Sequence, residues 1–245
     1  MAKVTILHLS DLHYTSSSHA DISIIINALL SDLIFLKKNN SVSPDFVIFS
    51  GDIVQNADVM DDFEESKTLF IDPLLNTLNL SNDLFFISTG NHDIQKTKIN
   101  EYMEIGLEKK LTQRSDLNSF IDKIDVNKNS LDRLSNYKIF EHKLLSKYVK
   151  NSDLLYSSFY FKINDINIGI ACLNSSWRAS GLSDNYDHGK LLIGERNIDK
   201  AASDIKDAAL KLGVIHHPFE WLKPFDAQII KMKSICWVRF LTLWA

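Results

Sequence analysis

Between residues 3 and 50 the chain runs "KVTILHLS" (3–10), "DISIIINALLSDLIFLKK" (21–38) and "PDFVIFS" (44–50). The first and last are short apolar, β-rich runs, and the middle one has the length and periodicity of a helix, so the three form a βαβ unit. A second helical stretch over residues 58–78, which Pro73 is expected to bend or interrupt, leads to a third strand, "LFFIST" (84–89). Strands that alternate with crossover helices require a parallel sheet covered on both faces, whose sites open beyond the carboxyl ends of the strands.

The rest of the chain is read more coarsely. Residues 95–150 are Lys- and Asn-rich, with 12 Lys and Arg against 8 Asp and Glu, and are expected to form a helical insertion. Two β runs within 154–177, joined through "NDIN", are expected to form a hairpin of a second sheet. Residues 194–212 read as a helix and "GVIHH" (213–217) as the next strand. One domain over residues 1–245 accommodates all of this.

Composition narrows the function classes. A net charge of -4 excludes a nucleic-acid coat protein, and two cysteines, Cys172 and Cys236, give neither a disulfide framework nor a CxxC pattern. The expected compartment is therefore reducing and cytoplasmic. The first residues turn polar too early for a signal peptide, and no apolar stretch approaches the ~18 residues of a membrane span, so no membrane partner is expected.

Each early strand ends in a polar cluster: Asp11 and His13 in "DLH", Asp52 in "GD", and Asn91, His92 and Asp93 in "GNHD". Later, "GVIHHPF" sets His216 and His217 behind another apolar run. Carboxylate, imidazole and amide donors converging on one sheet edge suit a first-row divalent metal, whereas oxygen-only sets suit magnesium or calcium. Glycines before Asp52 and Asn91 let the chain turn off its strand. His8 is read as a core residue, His19 and His142 as surface residues, and His188 as a loop residue that could face the site.

In this order, "DLH", "GD", "GNHD" and "HHP" resemble signatures of the calcineurin-like metallophosphoesterase superfamily, and the resemblance runs from about Val4 to Asp226. It implies a two-sheet α/β/β/α sandwich and hydrolysis of phosphomonoesters or phosphodiesters at a centre of two divalent ions, with Mn, Fe or Zn as candidates. By the resemblance, Asp11 and His13 hold one metal, Asp52 bridges both, and Asn91 and His216 hold the second. His92 is the general acid, oriented by Asp93, and His217 supports the ligands from behind or faces substrate. The expected partner is a phosphate ester, including nucleotides and nucleic acids, and an inactive remnant serving as a binding module is the alternative reading.

The pattern departs from the family at its end. The superfamily's closing Gly-His-x-His segment is absent, since no histidine follows His217 and the last glycine is Gly213. The atypical tail over residues 231–245 is read as a frameshift, a mis-set gene boundary or a truncation, or else as a native β-rich strand. Each metal is then expected to lack one ligand. The tail is also expected to leave a sheet edge unpaired and to expose Trp237, Phe240, Leu241 and Trp244 as an apolar patch.

Overall fold

Three short apolar runs, β1 (Ile6–Leu9), β2 (Phe46–Phe49) and β3 (Phe85–Ile87), pair in parallel in the order β1-β2-β3. The computed structural model describes residues 3–124, 128–182, 184–237 and 239–241. A second sheet holds β4 (Val149–Ser152), β5 (Tyr156–Ile163), β6 (Ile166–Leu173), β7 (Leu210–Val214) and β8 (Arg239–Leu241) in sequence order. Its first three strands are antiparallel and its last three parallel. The β5–β6 hairpin turns on Asn164 and Asp165, both at positive φ, the backbone a two-residue turn demands.

Alternation along β2 builds the layers. Phe46 and Ile48 point between the sheets, where they meet Phe86, Phe159, Phe161, Ile168, Ile170 and Val214. Val47 and Phe49 point the other way, onto α1 (His19–Asn40), α2 (Met60–Ser66) and α3 (Asp72–Leu78) through Ile22, Ile26, Phe63 and Leu74. On the far side, β6 is covered by α5 (Arg114–Asp122), α7 (Glu195–Asp204) and α8 (Pro224–Trp237) through Leu117, Ile121, Ile198, Ala201 and Ile230. The result is an α/β/β/α sandwich, as expected. Phe46, Phe86 and Phe161 interlock between the sheets with ring centroids 5.0 to 5.8 Å apart. Such an aromatic cluster contributes more than its area alone, by about 0.5–1.5 kcal/mol per pair.

Several expectations change. The chain stays helical from Met60 to Leu78 because a π-type turn at Lys67–Ile71 widens the backbone just before Pro73, which sits in the first turn of α3. The helix expected over 194–212 stops at Asp204, and the strand starts at Leu210 instead of Gly213. Register explains this: Leu210 to Val214 pair with Ile168 to Cys172 of the neighbouring strand, and that buried pairing outweighs the helical propensity of "AALKL". His216 and His217 therefore lie past the strand end.

The tail is also corrected. Residues up to Trp237 continue α8, and β8 pairs in parallel with β7, so the β7 edge is occupied. The expected patch at Trp237, Phe240, Leu241 and Trp244 falls on side chains outside the described residues. Contrary to the sequence reading, the helical segment Ser16–Asn40 is long and apolar enough to cross a membrane by length and composition. In the fold it forms a layer of the sandwich, burying Ile22, Ile26 and Leu33.

Residues 95–150 contain α4 (Glu101–Lys110), α5 and α6 (Ser135–Lys143) and contribute to both outer layers. Phe140 of α6 packs on Phe63 at 4.9 Å, while Ile121 of α5 lies in the opposite core. Glu104 of α4 pairs with Arg133 and Arg178, and Arg133 also donates to the Ala179 carbonyl at 3.0 Å. The side chain of Arg133 is 3% exposed and that of Arg178 10%, so removing their shared carboxylate strands two cations in a dry site. Glu104→Ala is expected to cost about 2–4 kcal/mol of stability by chemical denaturation. A loss below about 0.5 kcal/mol, typical of a surface change, would contradict the buried-network reading.

Candidate metal centre

The ends of β1, β2 and β3 lie side by side because the strands are parallel and in register, so the residues that follow each strand share one edge. The next step off each strand is unusual. Asp11, His13 and Asp52 all hold left-handed backbone, at φ 59°, 49° and 59°. The other four non-glycine residues of this kind lie at the ends of α1 and α3 or in the β5–β6 turn, where such backbone is routine. Left-handed residues outside those settings cost about 1–3 kcal/mol each and cluster at functional sites. Here the loops are held in that shape by backbone bonds from Asp11 to the Gly51 carbonyl and from His13 to the Asp52 carbonyl, both 3.0 Å.

Asp93 anchors the other side. Its carboxylate is fully buried and accepts from four backbone amides: Asp52 and Gly90 at 2.8 Å, Ile53 at 3.0 Å and Val54 at 3.3 Å. Burial and the nearby Asp52 charge push this carboxyl upward, and the amides pull it back. Asp93 thus ties the loop after β2 to the loop after β3. It is not the group that orients His92, as expected from sequence. That ring instead has Nδ1 3.0 Å from the Gln55 carbonyl. The loops approach so closely that a Cβ at position 90 would lie 2.0 Å from Asp52 Oδ1, so only glycine fits there.

Asp52 is the centre of the cluster. One oxygen accepts from the His92 amide at 2.8 Å, and the other lies 3.4 Å from His216 Nε2 and 3.7 Å from His13 Nε2. His13 Nε2 is also 3.6 Å from Asp11 Oδ1. Asn91 Oδ1 is 3.0 Å from His216 Nε2, and His216 Nδ1 is 3.0 Å from the Ser50 carbonyl. Two groups of ligand atoms emerge, Asp11–Asp52–His216 and His13–Asp52–His92, each within 4.8 Å, and Asp52 belongs to both. All five residues expected to hold metal converge here. His92, expected only as an acid, lies beside them, its ring 4.6 Å from that of His13.

The donors suit a cation. His13 Nδ1 is buried with no hydrogen-bond partner among the described residues, and its Nε2 faces two carboxylate oxygens beyond hydrogen-bond length. That is the spacing of groups that share a positive ion. Against burial, His216 and the His92 amide hold Asp52 down to about 2. Burial works against charge on His216 as well, yet Asp52, Asp11 and Asp93 raise it to about 9. Asp52 and Asp11, both held below the ordinary carboxylate range, therefore stay ionised, and imidazole with carboxylate and amide oxygen is a set for first-row divalent ions.

His217 takes the supporting place. It is 4% exposed, its Nδ1 lies 2.9 Å from Ser175 Oγ, and its ring meets His216 edge-on and Trp221 at a tilt. Burial and the charge on His216 push it well below the ordinary histidine range, so it is neutral. His8 bonds Ser50 Oγ at 3.0 Å, and His188 packs on Trp221 at 5.6 Å. His19 and His142 are exposed. Sequence reasoning missed the carbonyls of Ser50 and Gln55, which set the orientation of His216 and His92. No side-chain signal marks a carbonyl that acts through loop geometry. Ser10 and Ser175, whose hydroxyls bond Asp11 and His217, were equally unmarked.

A family model described as calcineurin-like phosphoesterase matches residues 4–225. No curated protein matches the chain.

The anchoring role of Asp93 separates it from His92 experimentally. Asp93→Asn turns an amide NH2 toward two backbone donors and is expected to cost about 2–4 kcal/mol in EDTA-treated protein. His92→Ala, which removes only a half-buried ring, is expected to cost less than about 1 kcal/mol. Equal losses in thermal denaturation would return Asp93 to a role confined to His92.

Proposed function

The chain belongs to the calcineurin-like phosphoesterase family, and from that premise we propose that it hydrolyses phosphomonoesters or phosphodiesters at a binuclear metal centre. The observation that carries this reading is the Asp52 carboxylate, which belongs to both ligand groups; those groups pair Asp11 with His216 and His13 with His92, so the division of the remaining ligands between two ions rests on the family resemblance and not on these distances. Asp11 and His13 would hold one divalent ion, Asn91 and His216 the other, and Asp52 both. When bound, two such ions acidify water and neutralise charge on phosphate oxygens.

The chain's own residues do the rest. A carbonyl can only accept, so His216 keeps its Nδ1 proton on Ser50 and presents Nε2 to the site. By the same logic His92 donates Nδ1–H to Gln55, so to act as the acid it must carry a second proton on Nε2, and that Nε2–H passes to the leaving oxygen as the ester P–O bond breaks. Water adds to phosphorus as the ester bond breaks, the alkoxide leaves with the proton from His92 Nε2, and a proton released from the attacking water returns through solvent to restore His92.

The positive character of residues 95–150 favours nucleotides or nucleic acids among phosphate esters, and the exposed Lys96 and Lys98 follow directly on the His92–Asp93 loop. Within residues 1–245 the last expected ligand is His216 and no histidine follows His217, so we infer that residues 1–245 by themselves retain both ions weakly. Loss even of residues that only support ligands costs ~10–100-fold in affinity or activity.

Two measurements test the proposal. Asp52→Asn is expected to abolish cleavage of an aryl phosphodiester and to lower bound metal, measured by elemental analysis, for both ions together. Unchanged metal content and activity would refute the shared-carboxylate reading. His92→Ala is expected to lower kcat by ~10²–10⁴-fold on esters with poor leaving groups, and far less on nitrophenyl esters, with metal content intact. Equal losses on both substrates would remove the proton-donor role.

A further inference from the structure

Among the described residues, the outer face of α1 carries the longest run of exposed large apolar side chains. Ile24 is 69% exposed, Ile25 65%, Phe35 61%, Ile34 42% and Leu36 38%, while the opposite side of the helix buries Ile22, Ile26 and Leu33. The exposed residues are ordered. Asp21, Ile24, Ala28, Ser31, Phe35 and Lys38, all exposed, follow one another at alternating steps of three and four, the spacing of a helix-pairing seam.

This seam is complementary to itself when reversed. About the midpoint between Leu29 and Leu30, Asp21 falls opposite Lys38, Ile24 opposite Phe35, and Ala28 opposite Ser31. Ile25 and Ile34 lie on opposite flanks of the seam, where each widens the apolar strip. Large side chains thus meet large ones, small residues meet at the centre where two helices approach closest, and unlike charges meet at both ends. The Ser31 hydroxyl already bonds the Asn27 carbonyl at 2.8 Å, so its burial leaves no unpaired donor. Asp21 lies in the first turn and Lys38 in the last, each favourable to its own helix dipole.

We propose that α1 pairs antiparallel with α1 of a second copy of this chain, giving a two-fold dimer through the seam from Asp21 to Lys38. A two-fold interface presents the same patch from both copies, and this patch meets that condition in size and charge. The five large apolar residues expose on the order of 500 Å², taking about 150–250 Å² for a large free side chain. A standard interface buries roughly 800 Å² per partner, and the rim can supply the difference. A membrane surface fits less well. An interfacial helix carries Lys and Arg along its polar face, whereas α1 has Asp21 and Asp32 against Lys37 and Lys38.

The test is sedimentation equilibrium of the full chain over a hundredfold range of concentration, with thermal unfolding as a check on fold. The wild type is expected to dimerise, and Phe35→Glu to raise the dissociation constant about tenfold or more by burying a charge at the contact. Asp21→Lys and Lys38→Asp are each expected to weaken the dimer, and the double exchange to restore it, because it re-forms both end pairs with reversed sign. These positions are exposed, so unfolding temperatures should stay close to the wild type. A wild type that remains monomeric, a dimer indifferent to Phe35→Glu, or a double exchange no better than the single variants would overturn the proposal. So would α1-dependent binding to phosphatidylcholine–phosphatidylglycerol vesicles by a chain that does not self-associate.

Discussion

Four amide groups converge on one buried carboxylate, and the site depends on that convergence. Asp93 takes N–H donors from the loops after β2 and β3, so neither loop can move without losing hydrogen bonds in a dry setting. What the loops carry is thereby placed: Asp52 on one, Asn91 and His92 on the other. The absence of a side chain at Gly90 lets the two approach within contact distance. A polar anchor beneath the reactive groups keeps them oriented without taking part itself.

Around that anchor the sandwich supplies stiffness. The aromatic layer between the sheets fixes the parallel strands against the antiparallel hairpin, and β7 ends where His216 must enter from the second sheet. The centre is therefore assembled from both sheets, three strand ends of one and a single strand end of the other. The helical segment over residues 95–150 contributes to both outer layers, and Glu104, paired with Arg133 and Arg178, ties it to the loop after β6. Strain in the backbone of Asp11, His13 and Asp52 is tolerable because so much surrounding structure determines those positions.

Much of this was legible in the sequence, for identifiable reasons. Parallel strands between crossover helices place residues after each strand on one edge, so "DLH", "GD" and "GNHD" could be grouped before any coordinates. The parallel first half followed from the same alternation, and the two-sheet sandwich from the family resemblance that the motif order carries. Less was legible where tertiary pairing overrides local preference, as at Leu210, which reads as helix and pairs as strand. The role of Asp93 was misread because its neighbour in sequence is His92 while its neighbours in space are amides. The carbonyls of Ser50 and Gln55 were invisible because every residue carries one. The symmetry of α1 lies wholly in the sequence, but its meaning depends on knowing which face is left exposed.

The central claim is that one carboxylate, Asp52, serves two cations at once. Its most direct test is anomalous diffraction from a crystal equilibrated with manganese. The account predicts two anomalous peaks roughly 3.5–4 Å apart on either side of the Asp52 carboxylate. One peak alone, or peaks away from Asp52, would contradict it.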